Sequence, residues 1–238
     1  MSKVKAVFRG VTPEQKEKFK DSTCLLTISV GQEYHEGEKL EAILTLINTS
    51  FKSFSILLGD TLQRYTIALN DHHAPEYFHS TTLMQGEEWL KRNEPSFKKL
   101  TGFQNVIRWD AWLKDPLFIE KETLVKKKLA LDKSYQEKFE VVVTNYLKKY
   151  ICRLSEPEKF DYNRAYQLCF KYILEECIAL CLWCNTDCDY EIYPSQRNLA
   201  MDETHKRFVV PEYGNRLYSV ALKFKHKEKH NSQVFIEM

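Results

Sequence analysis

Two apolar runs on either side of an amphipathic pattern constrain the fold of this chain most strongly. Residues 22–30 are rich in Leu, Ile and Val, which is typical of a strand covered on both faces. Residues 36–50 then place apolar side chains at i, i+3, i+4 and i+7 from Leu40, a helix pattern. Residues 54–58 form a second apolar run. Strand, helix and strand of these lengths predict a β-α-β unit, and therefore an α/β fold with a mostly parallel central sheet.

The remaining chain continues in the same mixed pattern. Residues 1–20 are polar and are predicted to form a loose N-terminal arm, which leaves residues 21–238 as one domain with a sizeable core. Further helices are expected over 61–100, 117–150 and 161–184, and further strands over 103–107, 190–193, 216–224 and 234–236.

Composition and charge narrow the class of protein. The 238 residues include 35 Lys and Arg and 33 Asp and Glu, a net charge of +2, so nucleic-acid binding would need a local basic face. No run of about 18 apolar residues suggests a membrane span. Residues 1–20 lack the apolar centre of a signal peptide. We therefore expect a cytoplasmic protein without a membrane partner.

Ser29 ends the first predicted strand, at the edge of the sheet where ligands bind in α/β folds. Gly31 would let a ligand approach the backbone closely. The stretch is not a G-x-S-x-G elbow, because Thr27 occupies the first Gly position. Ser29 is a candidate nucleophile, and the alternative is a turn or cap residue.

Tyr172 and Glu176 lie four residues apart on the predicted helix over 161–184, so both project from one face. That face is otherwise apolar, and a carboxylate is costly to bury there unless it meets a cation or several donors. Glu176 could form a structural ion pair with Lys or Arg. It could instead hold the ammonium group of a substrate, with Tyr172 adding a hydrogen bond.

Together with the later dipeptide Tyr193-Pro194, these residues resemble the cyclodipeptide synthases, which join two amino acids from aminoacyl-tRNAs into a cyclic dipeptide. In that family a strand-end Ser, a Tyr-x-x-x-Glu on a buried helix and a later Tyr recur in this order. Ser29, Tyr172, Glu176 and Tyr193 match these four positions.

Gln32 and Pro194 resemble the subgroup of that family with Tyr-Pro at the late motif, rather than the subgroup with Asn and Tyr-His. The resemblance implies a Rossmann-like single domain similar to the catalytic domain of the class I tyrosyl- and tryptophanyl-tRNA synthetases. The chain lacks His-x-Gly-His, Lys-Met-Ser-Lys-Ser, a P-loop and G-x-G-x-x-G. We therefore expect an ATP-independent aminoacyltransferase with no cofactor, no metal and no protein partner.

The resemblance also implies the catalytic roles. Ser29 would carry first an aminoacyl and then a dipeptidyl group in a ping-pong reaction. Glu176 and Tyr172 would hold the amino group, and Tyr193 would orient the intermediate or relay a proton. Backbone amides near Val30 and Gly31 are possible donors to the oxyanion.

Two sets of substrate contacts follow from the resemblance. The amino acid pocket is expected at Leu25, Thr27, Gly31, Gln32, Leu57, Gly59 and Pro194, with ordinary core positions as the alternative. Contacts with tRNA are expected at Lys91, Arg92, Lys98 and Lys99, on a helix interrupted by Pro95. The runs Lys126–Lys128 and Lys148-Lys149 are alternative tRNA contacts, and each basic run could instead be a solvated helix face.

Other functions are possible on particular residues. Cys177, Cys181 and Cys184 form C-x-x-x-C-x-x-C, similar to the cluster motif of radical S-adenosylmethionine enzymes, but on a continuous helical run. Cys184 and Cys188 with His residues could form a zinc site, although no paired metal motif follows. We expect most cysteines to be buried and reduced. A non-catalytic tRNA- or RNA-binding domain with a synthetase-like fold is the alternative function.

Overall fold

One six-stranded sheet forms the centre of the computed structural model, which describes residues 4–226. The strands are β1 (Val4–Phe8), β2 (Thr23–Ser29), β3 (Ser53–Gly59), β4 (Phe103–Arg108), β5 (Tyr190–Tyr193) and β6 (Tyr218–His226). Their order is β1-β6-β5-β2-β3-β4. All neighbouring pairs are parallel except β1 and β6, which are antiparallel. The predicted α/β class with a mostly parallel sheet is confirmed.

Helices cover both faces of this sheet. They are α1 (Pro13–Phe19), α2 (Gly37–Ser50), α3 (Arg64–Ile67), α4 (Pro75–Phe97), α5 (Trp109–Leu113), α6 (Phe118–Leu131), α7 (Lys133–Ile151), α8 (Tyr162–Trp183), α9 (Leu199–Thr204) and α10 (Val210–Tyr213). A π-helical turn, His205–Val209, joins α9 to α10.

The predicted β-α-β unit is β2, α2 and β3. The side chains of β2 point alternately into two separate cores, one on each face of the sheet. This explains why the run is apolar at nearly every position. Leu25 packs into the core formed with α6, α7 and α8. Leu26 and Ile28 pack into the core formed with α2 and α4. A cavity at the carboxyl ends of β2 and β3 lies on the same face of the sheet as Leu25.

Helix α8 positions the predicted Tyr-x-x-x-Glu pair. It begins at an Asp161 cap, whose carboxylate accepts a hydrogen bond from the Arg164 backbone N–H at 3.0 Å. Ala165, Cys169 and Leu180 are buried along its length. The expected buried helix is therefore confirmed, with the two polar side chains on its cavity side.

The expected loose arm is wrong for residues 4–19. Residues 4–8 form β1, and Thr12 caps α1 through a capping box with Gln15. Ala6 and Phe19 are buried, and they anchor these two elements to the core formed with α2. An edge strand and a surface helix need only one apolar face each, so their composition remained polar overall.

Three smaller expectations can be compared with the structure. Pro95 does not interrupt its helix, because α4 continues to Phe97 and Pro95 lies in its last turn. The helical stretch over 117–150 is two helices, with Asp132 capping α7. The strand expected over 234–236 lies outside the described residues.

Candidate active site

A cavity of about 390 Å³ opens at the carboxyl ends of β2, β3 and β5. Ser29, Gly59 and Tyr193 are the last residues of these strands and line the cavity. Helices α7 and α8 and residues 195–201 enclose its other side. The strand β3 lies on one side of β2, and β5, later in the chain, lies on its other side. The strand order therefore reverses at β2. In open α/β sheets, ligands usually bind at this point, and the cavity lies there.

Three hydroxyl groups form a hydrogen-bonded row inside this cavity. The Tyr193 hydroxyl lies 3.1 Å from Ser29 Oγ and 2.8 Å from the Tyr34 hydroxyl. Burial raises the pKa of both tyrosines, and their mutual contact keeps that of Tyr193 high. Both are therefore neutral phenols at physiological pH, able to donate or accept. Tyr34 had no signal in the sequence, because its 3₁₀ turn became evident only from the fold.

His35 supports Ser29 without forming a catalytic dyad. Its Nδ1 accepts a hydrogen bond from the Ser29 backbone N–H at 2.9 Å, and its carbonyl accepts one from Trp89 Nε1 at 3.1 Å. Burial lowers the pKa of His35 to about 3, so the ring is neutral. The Ser29 N–H is thus occupied and cannot serve as an oxyanion donor.

Few partners offset the cost of burying the Glu176 carboxyl group. Its one hydrogen bond among the described residues comes from Asn198 Nδ2 at 3.2 Å, and no cation in that part of the chain pairs with it. Burial raises the pKa of Glu176 to about 8, the nearby Glu191 adds to this, and Asn198 and Arg197 oppose it. The alternative of a structural ion pair is therefore wrong for Glu176.

Arg197 does not neutralise Glu176 because it is already paired. Its guanidinium contacts the Glu191 carboxylate, and both side chains are almost fully buried. Its Nη2 also donates to the Leu217 carbonyl at 2.6 Å. The cavity therefore contains one balanced buried ion pair and, beside it, one carboxyl group without a cation.

Glu175, the residue before Glu176, makes the kind of ion pair that was one of the two alternatives for Glu176. It pairs with Arg64 and accepts hydrogen bonds from the Tyr65 hydroxyl at 2.9 Å and from Trp109 Nε1 at 2.8 Å. Three elements, α3, α5 and α8, are joined by this one carboxylate. Tyr65 and Trp109 also line the cavity, so the network fixes part of its wall.

Comparison with known proteins identifies the family. No protein-family model matches the chain, and no curated protein matches it. A solved structure of a CDPS (cyclodipeptide synthase) from Fluoribacter dumoffii is 40% identical in sequence to this chain. The two structures superpose with a TM-score of 0.88 over 94% of this chain and 100% of that one. This chain belongs to the cyclodipeptide synthases.

More distant synthases share the fold. One from Candidatus Glomeribacter gigasporarum, described as bound to Phe-tRNAPhe, is 16% identical with a TM-score of 0.73, over 92% of this chain and 94% of that one. A Mycobacterium tuberculosis protein, described as demonstrating that cyclodipeptide synthetases are related to type I tRNA synthetases, is 11% identical. Its TM-score is 0.63 over 95% of this chain and 94% of that one. The expected family and fold are confirmed.

The structure brings together all four predicted catalytic residues of this synthase. Ser29, Tyr172, Glu176 and Tyr193 line the same cavity although 164 residues separate the first from the last. Burial raises the pKa of Tyr172 well above its usual value, the charge of Glu176 adds to this, and the Gln63 side chain opposes it. Their catalytic roles remain predictions.

Only some of the predicted pocket residues line the cavity. Thr27, Gln32, Leu57 and Gly59 do so. Leu25 is fully buried in the core, one strand repeat below Thr27, and does not line this cavity. Gly31 and Pro194 do not line the cavity, although the residues that follow them, Gln32 and Ser195, do. Tyr65, Trp109, Tyr146 and Asn198 line the cavity and were missed.

The four predicted tRNA contacts are exposed on α4 and just after it. Two of them are ion-paired: Arg92 with Glu36 at 2.8 Å and Lys98 with Glu94 at 2.7 Å. Lys91 and Lys99 have no carboxylate partner within the described residues. The α4 surface therefore offers less free positive charge than its sequence suggests.

The cysteines are free thiols, all buried except Cys152. No group of three or more His, Cys, Asp or Glu side chains in residues 4–226 is arranged to hold a metal ion. The iron–sulfur and zinc alternatives are therefore wrong for the described part of the chain. Cys177, Cys181 and Cys184 are core residues of one helix and its final turn. Within the same range, no helix is long and apolar enough to cross a membrane.

Proposed function

We propose that this enzyme uses two aminoacyl-tRNAs to make a cyclic dipeptide, with Ser29 as the nucleophile. The observation that carries the proposal is the shared cavity: the Ser29 hydroxyl, hydrogen-bonded to Tyr193, opens into the same space as the unpaired Glu176. The tRNA-bound relative supports the choice of substrate. The product would be made without ATP, because the ester is already activated.

In the first step Ser29 Oγ attacks the carbonyl carbon of an aminoacyl ester. The Oγ–carbon bond forms, the bond from that carbon to the ribose oxygen breaks, and the ribose hydroxyl receives a proton. The row from Ser29 through Tyr193 to Tyr34 provides a path for the serine proton, because each hydroxyl can accept one proton while donating another. The result is an aminoacyl-Ser29 ester and a free tRNA.

Glu176 would hold and then deprotonate the amino group of that intermediate. An α-ammonium has a pKa of about 7.7–8.0, close to the value of about 8 for the Glu176 carboxyl group. Proton transfer between groups of matched pKa is nearly balanced in free energy. Glu176 can therefore bind an ammonium as its counter-ion and release it as the neutral amine that the next step requires. Tyr172, one helical turn away, would orient that amine.

The two remaining steps make the two amide bonds. The neutral amine attacks the ester carbonyl of a second aminoacyl-tRNA, which releases tRNA and leaves a dipeptide on Ser29. The amine of the second residue then attacks the Ser29 ester, which closes the ring and returns the proton to Ser29 Oγ. Positioning in the cavity would supply most of the rate.

Several finer assignments belong to the same proposal. On the basis of Gln32 and Pro194, the chain would belong to the Tyr-Pro subgroup, and Tyr34 would supply there the hydrogen bond that holds Tyr193. Lys91 and Lys99 of the α4 surface would contact tRNA. The sheet, with β1 as one of its strands, and its helices would act as one catalytic domain in the cytoplasm, where aminoacyl-tRNAs are made.

Mass spectrometry tests this proposal directly. We expect cells expressing the chain to release cyclic dipeptides that cells expressing Ser29→Ala do not release. Acid quenching of the purified enzyme with aminoacyl-tRNA should add one aminoacyl mass to the peptide containing Ser29. A folded Ser29→Ala variant that still makes the product would contradict the role of Ser29. A folded wild-type chain that binds tRNA but makes no dipeptide would favour a non-catalytic RNA-binding domain.

A further inference from the structure

Asn198 is held in one orientation by the start of α9. It is the N-cap of this helix, and its Oδ1 accepts a hydrogen bond from the Met201 backbone N–H at 2.9 Å. A backbone N–H can only donate, so the amide oxygen of Asn198 faces the helix and the amide nitrogen faces away from it. That nitrogen, Nδ2, donates to Glu176 Oε2 at 3.2 Å. The capping bond therefore fixes Asn198 as a donor to Glu176.

The residue before Asn198 anchors the same segment to the sheet. Arg197 pairs with Glu191 of β5, and the two side chains are 3% and 4% exposed. Its Nη2 also donates to the Leu217 carbonyl at 2.6 Å. With Arg197 tied to the sheet and Asn198 tied to α9, the amide cannot move away from Glu176 without breaking a buried contact.

The two carboxyl oxygens of Glu176 are therefore not equivalent. Oε2 accepts from Asn198, whereas Oε1 has no hydrogen-bond partner among the described residues. The buried polar side-chain atoms without a partner there are His35 Nε2, Trp112 Nε1 and Trp183 Nε1, so Oε1 is not enclosed by protein but open to the cavity that Glu176 lines. When the carboxyl group is protonated, the proton lies on Oε1, because Oε2 remains an acceptor for Asn198. The oxygen that exchanges a proton thus faces the space for a substrate.

The titratable side chains that interact with the charge of Glu176 come from α8, β5, the turn after β2 and the segment before α9. They are Tyr34, Tyr172, Cys177, Glu191, Tyr193 and Arg197. Burial raises the pKa of the three tyrosines and of Cys177, so these four groups are neutral at physiological pH. Glu191 and Arg197 neutralise each other. Helix α7 adds Tyr146 to the lining, and burial raises its pKa to about 12. Among the described residues, the hydrogen bond that favours ionised Glu176 is therefore the one from Asn198.

We propose that Asn198 is a positioning residue of the synthase: its amide holds Glu176 Oε2, so that Oε1 receives the proton of the substrate's ammonium group. This inference rests on the proposed function. In the transfer, one N–H bond of the ammonium breaks and an O–H bond to Oε1 forms, which leaves a neutral amine and a neutral carboxyl group. The amine then has the electron pair with which it attacks the second ester. Asn198 forms no bond in the reaction and acts through Glu176.

Four variants separate this role from that of a helix cap. Asn198→Ser keeps an acceptor for the Met201 N–H, but its side chain is one bond too short to donate to Glu176. Asn198→Asp keeps the cap and the size of the side chain and replaces the donor by a second acidic group. Asn198→Ala loses both the cap and the donor. The matched control is Thr12→Ala, which removes the cap of α1 on the other face of the sheet.

Infrared spectroscopy reports on Glu176 without any turnover. The carboxylic acid C=O band that is missing in Glu176→Gln belongs to this residue, and the pH at which the band is half lost measures its ionisation. The rate at which the aminoacyl-enzyme forms a dipeptide with a second aminoacyl-tRNA is measured in parallel over a range of pH. Thermal unfolding of every variant measures the contribution of the cap.

In the wild type, the Glu176 band should be half lost near pH 8. Asn198→Ser and Asn198→Ala should both move this midpoint to higher pH and leave about tenfold less ionised Glu176 at neutral pH, the effect of losing a hydrogen bond to a charged group. Asn198→Asp should move it further, since two adjacent carboxyl groups do not both ionise. Dipeptide formation at neutral pH should fall about tenfold or more in all three, and Asn198→Ser should recover as the pH rises. Only Asn198→Ala and Thr12→Ala should lose melting temperature, by roughly 2–4 °C.

The possible failures are distinguishable. If Asn198→Ser and Asn198→Asp keep the wild-type midpoint and rate, Asn198 is a helix cap alone, and the proposed function stands. A slower Asn198→Ser with an unchanged Glu176 midpoint would mean that Asn198 acts on the substrate directly, which also contradicts the positioning role. If the wild type makes no cyclic dipeptide, the proposed function fails and the role in proton transfer fails with it, whereas the infrared series still shows whether Asn198 controls Glu176. The two variants that keep the cap preserve the test should Asn198→Ala fail to fold.

Discussion

Glu175 and Glu176 are consecutive on α8, but only Glu175 has a cation as a hydrogen-bond partner. Glu175 turns toward Arg64 and joins three elements, whereas Glu176 turns into the cavity and meets one neutral amide, that of Asn198. Successive helix residues differ by about 100° in direction, so neighbours readily enter different surroundings. Glu175 stabilises the wall of the cavity, and the carboxyl group of Glu176 is available to a substrate.

The first prediction concerns the stability cost of Glu176. Its folded-state pKa of about 8 exceeds the usual value near 4.3, so the folded state favours the protonated form. The stability that protonated Glu176 gives the folded state is fully present below about pH 4, the pKa of the unfolded state. It is lost as the pH rises through 8, the pKa of the folded state. We expect Glu176→Gln, which stays neutral, to gain stability relative to the wild type by a few kcal/mol between pH 5 and pH 9.

Thermal unfolding of both proteins at several pH values measures this difference. Other groups titrate over the same range, but they are common to both proteins and cancel in the comparison. Parallel stability curves for the two proteins would mean that Glu176 is ionised in the folded state. Glu176→Gln should at the same time lose dipeptide synthesis, because an amide cannot accept the proton of the substrate's ammonium.

The second prediction concerns the neighbouring ion pair. The side chains of Arg64 and Glu175 are 17% and 10% exposed, so removing one partner leaves a poorly solvated charge. We expect Glu175→Gln to cost about 3–5 kcal/mol of unfolding free energy. Adding Arg64→Met to that variant should cost less than the sum of the two single changes. Urea unfolding of the four proteins gives the coupling energy, and strict additivity would contradict the pair.

Sequence patterns predicted most of the elements that form both cores, and the resemblance to the cyclodipeptide synthases identified the four residues that meet in the cavity. The first β-α-β unit followed from apolar runs that pack on both faces, and helical spacing placed Tyr172 and Glu176 on one face of their helix. Tyr34 and Asn198 could not be found in this way. Both lie in short irregular segments, and their partners, Tyr193 and Glu176, come from distant parts of the chain. Which of two adjacent glutamates meets Arg64 likewise depends on how the helices pack.

The third prediction separates the hydroxyl groups of the row. Tyr193→Phe removes the partner of Ser29 Oγ, and we expect acylation of Ser29 to slow by about 10²–10⁴, the usual contribution of a positioned proton-transfer group. Tyr34→Phe removes only the outer hydrogen bond and should slow it about tenfold or less, as for one neutral hydrogen bond. Because burial raises both pKa values, the rate should show no tyrosine ionisation below about pH 10.

Rapid acid quenching and mass measurement of the Ser29 peptide give these rates. The two phenylalanine variants keep the rings and should fold normally, so unfolding does not explain a slower rate. Equal rates for Tyr193→Phe and the wild type would show that Ser29 loses its proton by another path.

The fourth prediction concerns a glycine on which α4 depends. A Cβ at Gly86 would lie 2.4 Å from Asp60 Oδ2 and 2.7 Å from Asp60 Cβ. Asp60 is fully buried and bonded by Arg108 Nε at 2.7 Å, so it cannot move aside easily. We expect Gly86→Ala to destabilise the protein by about 1–2 kcal/mol, since overpacking exceeds the helix-propensity gain of about 1 kcal/mol.

Chemical denaturation of Gly86→Ala beside Gln85→Ala tests this. Gln85 is the exposed neighbour on the same helix, and alanine there should be neutral or slightly stabilising. If both variants gain stability, α4 does not pack on Asp60 as closely as the structure indicates.

The last prediction concerns the cysteines, whose spacing resembles a cluster motif but whose surroundings do not. The reactive form of a thiol is the thiolate, and burial raises the pKa of Cys169 and Cys181 to about 12. Cys152 is exposed after α7. A chromogenic disulfide reagent should therefore titrate one thiol per chain in the native protein and all 7 after unfolding. Cys152→Ser should leave none that reacts quickly, whereas two or more fast native thiols, or bound iron, would contradict the assignment of the others as core residues.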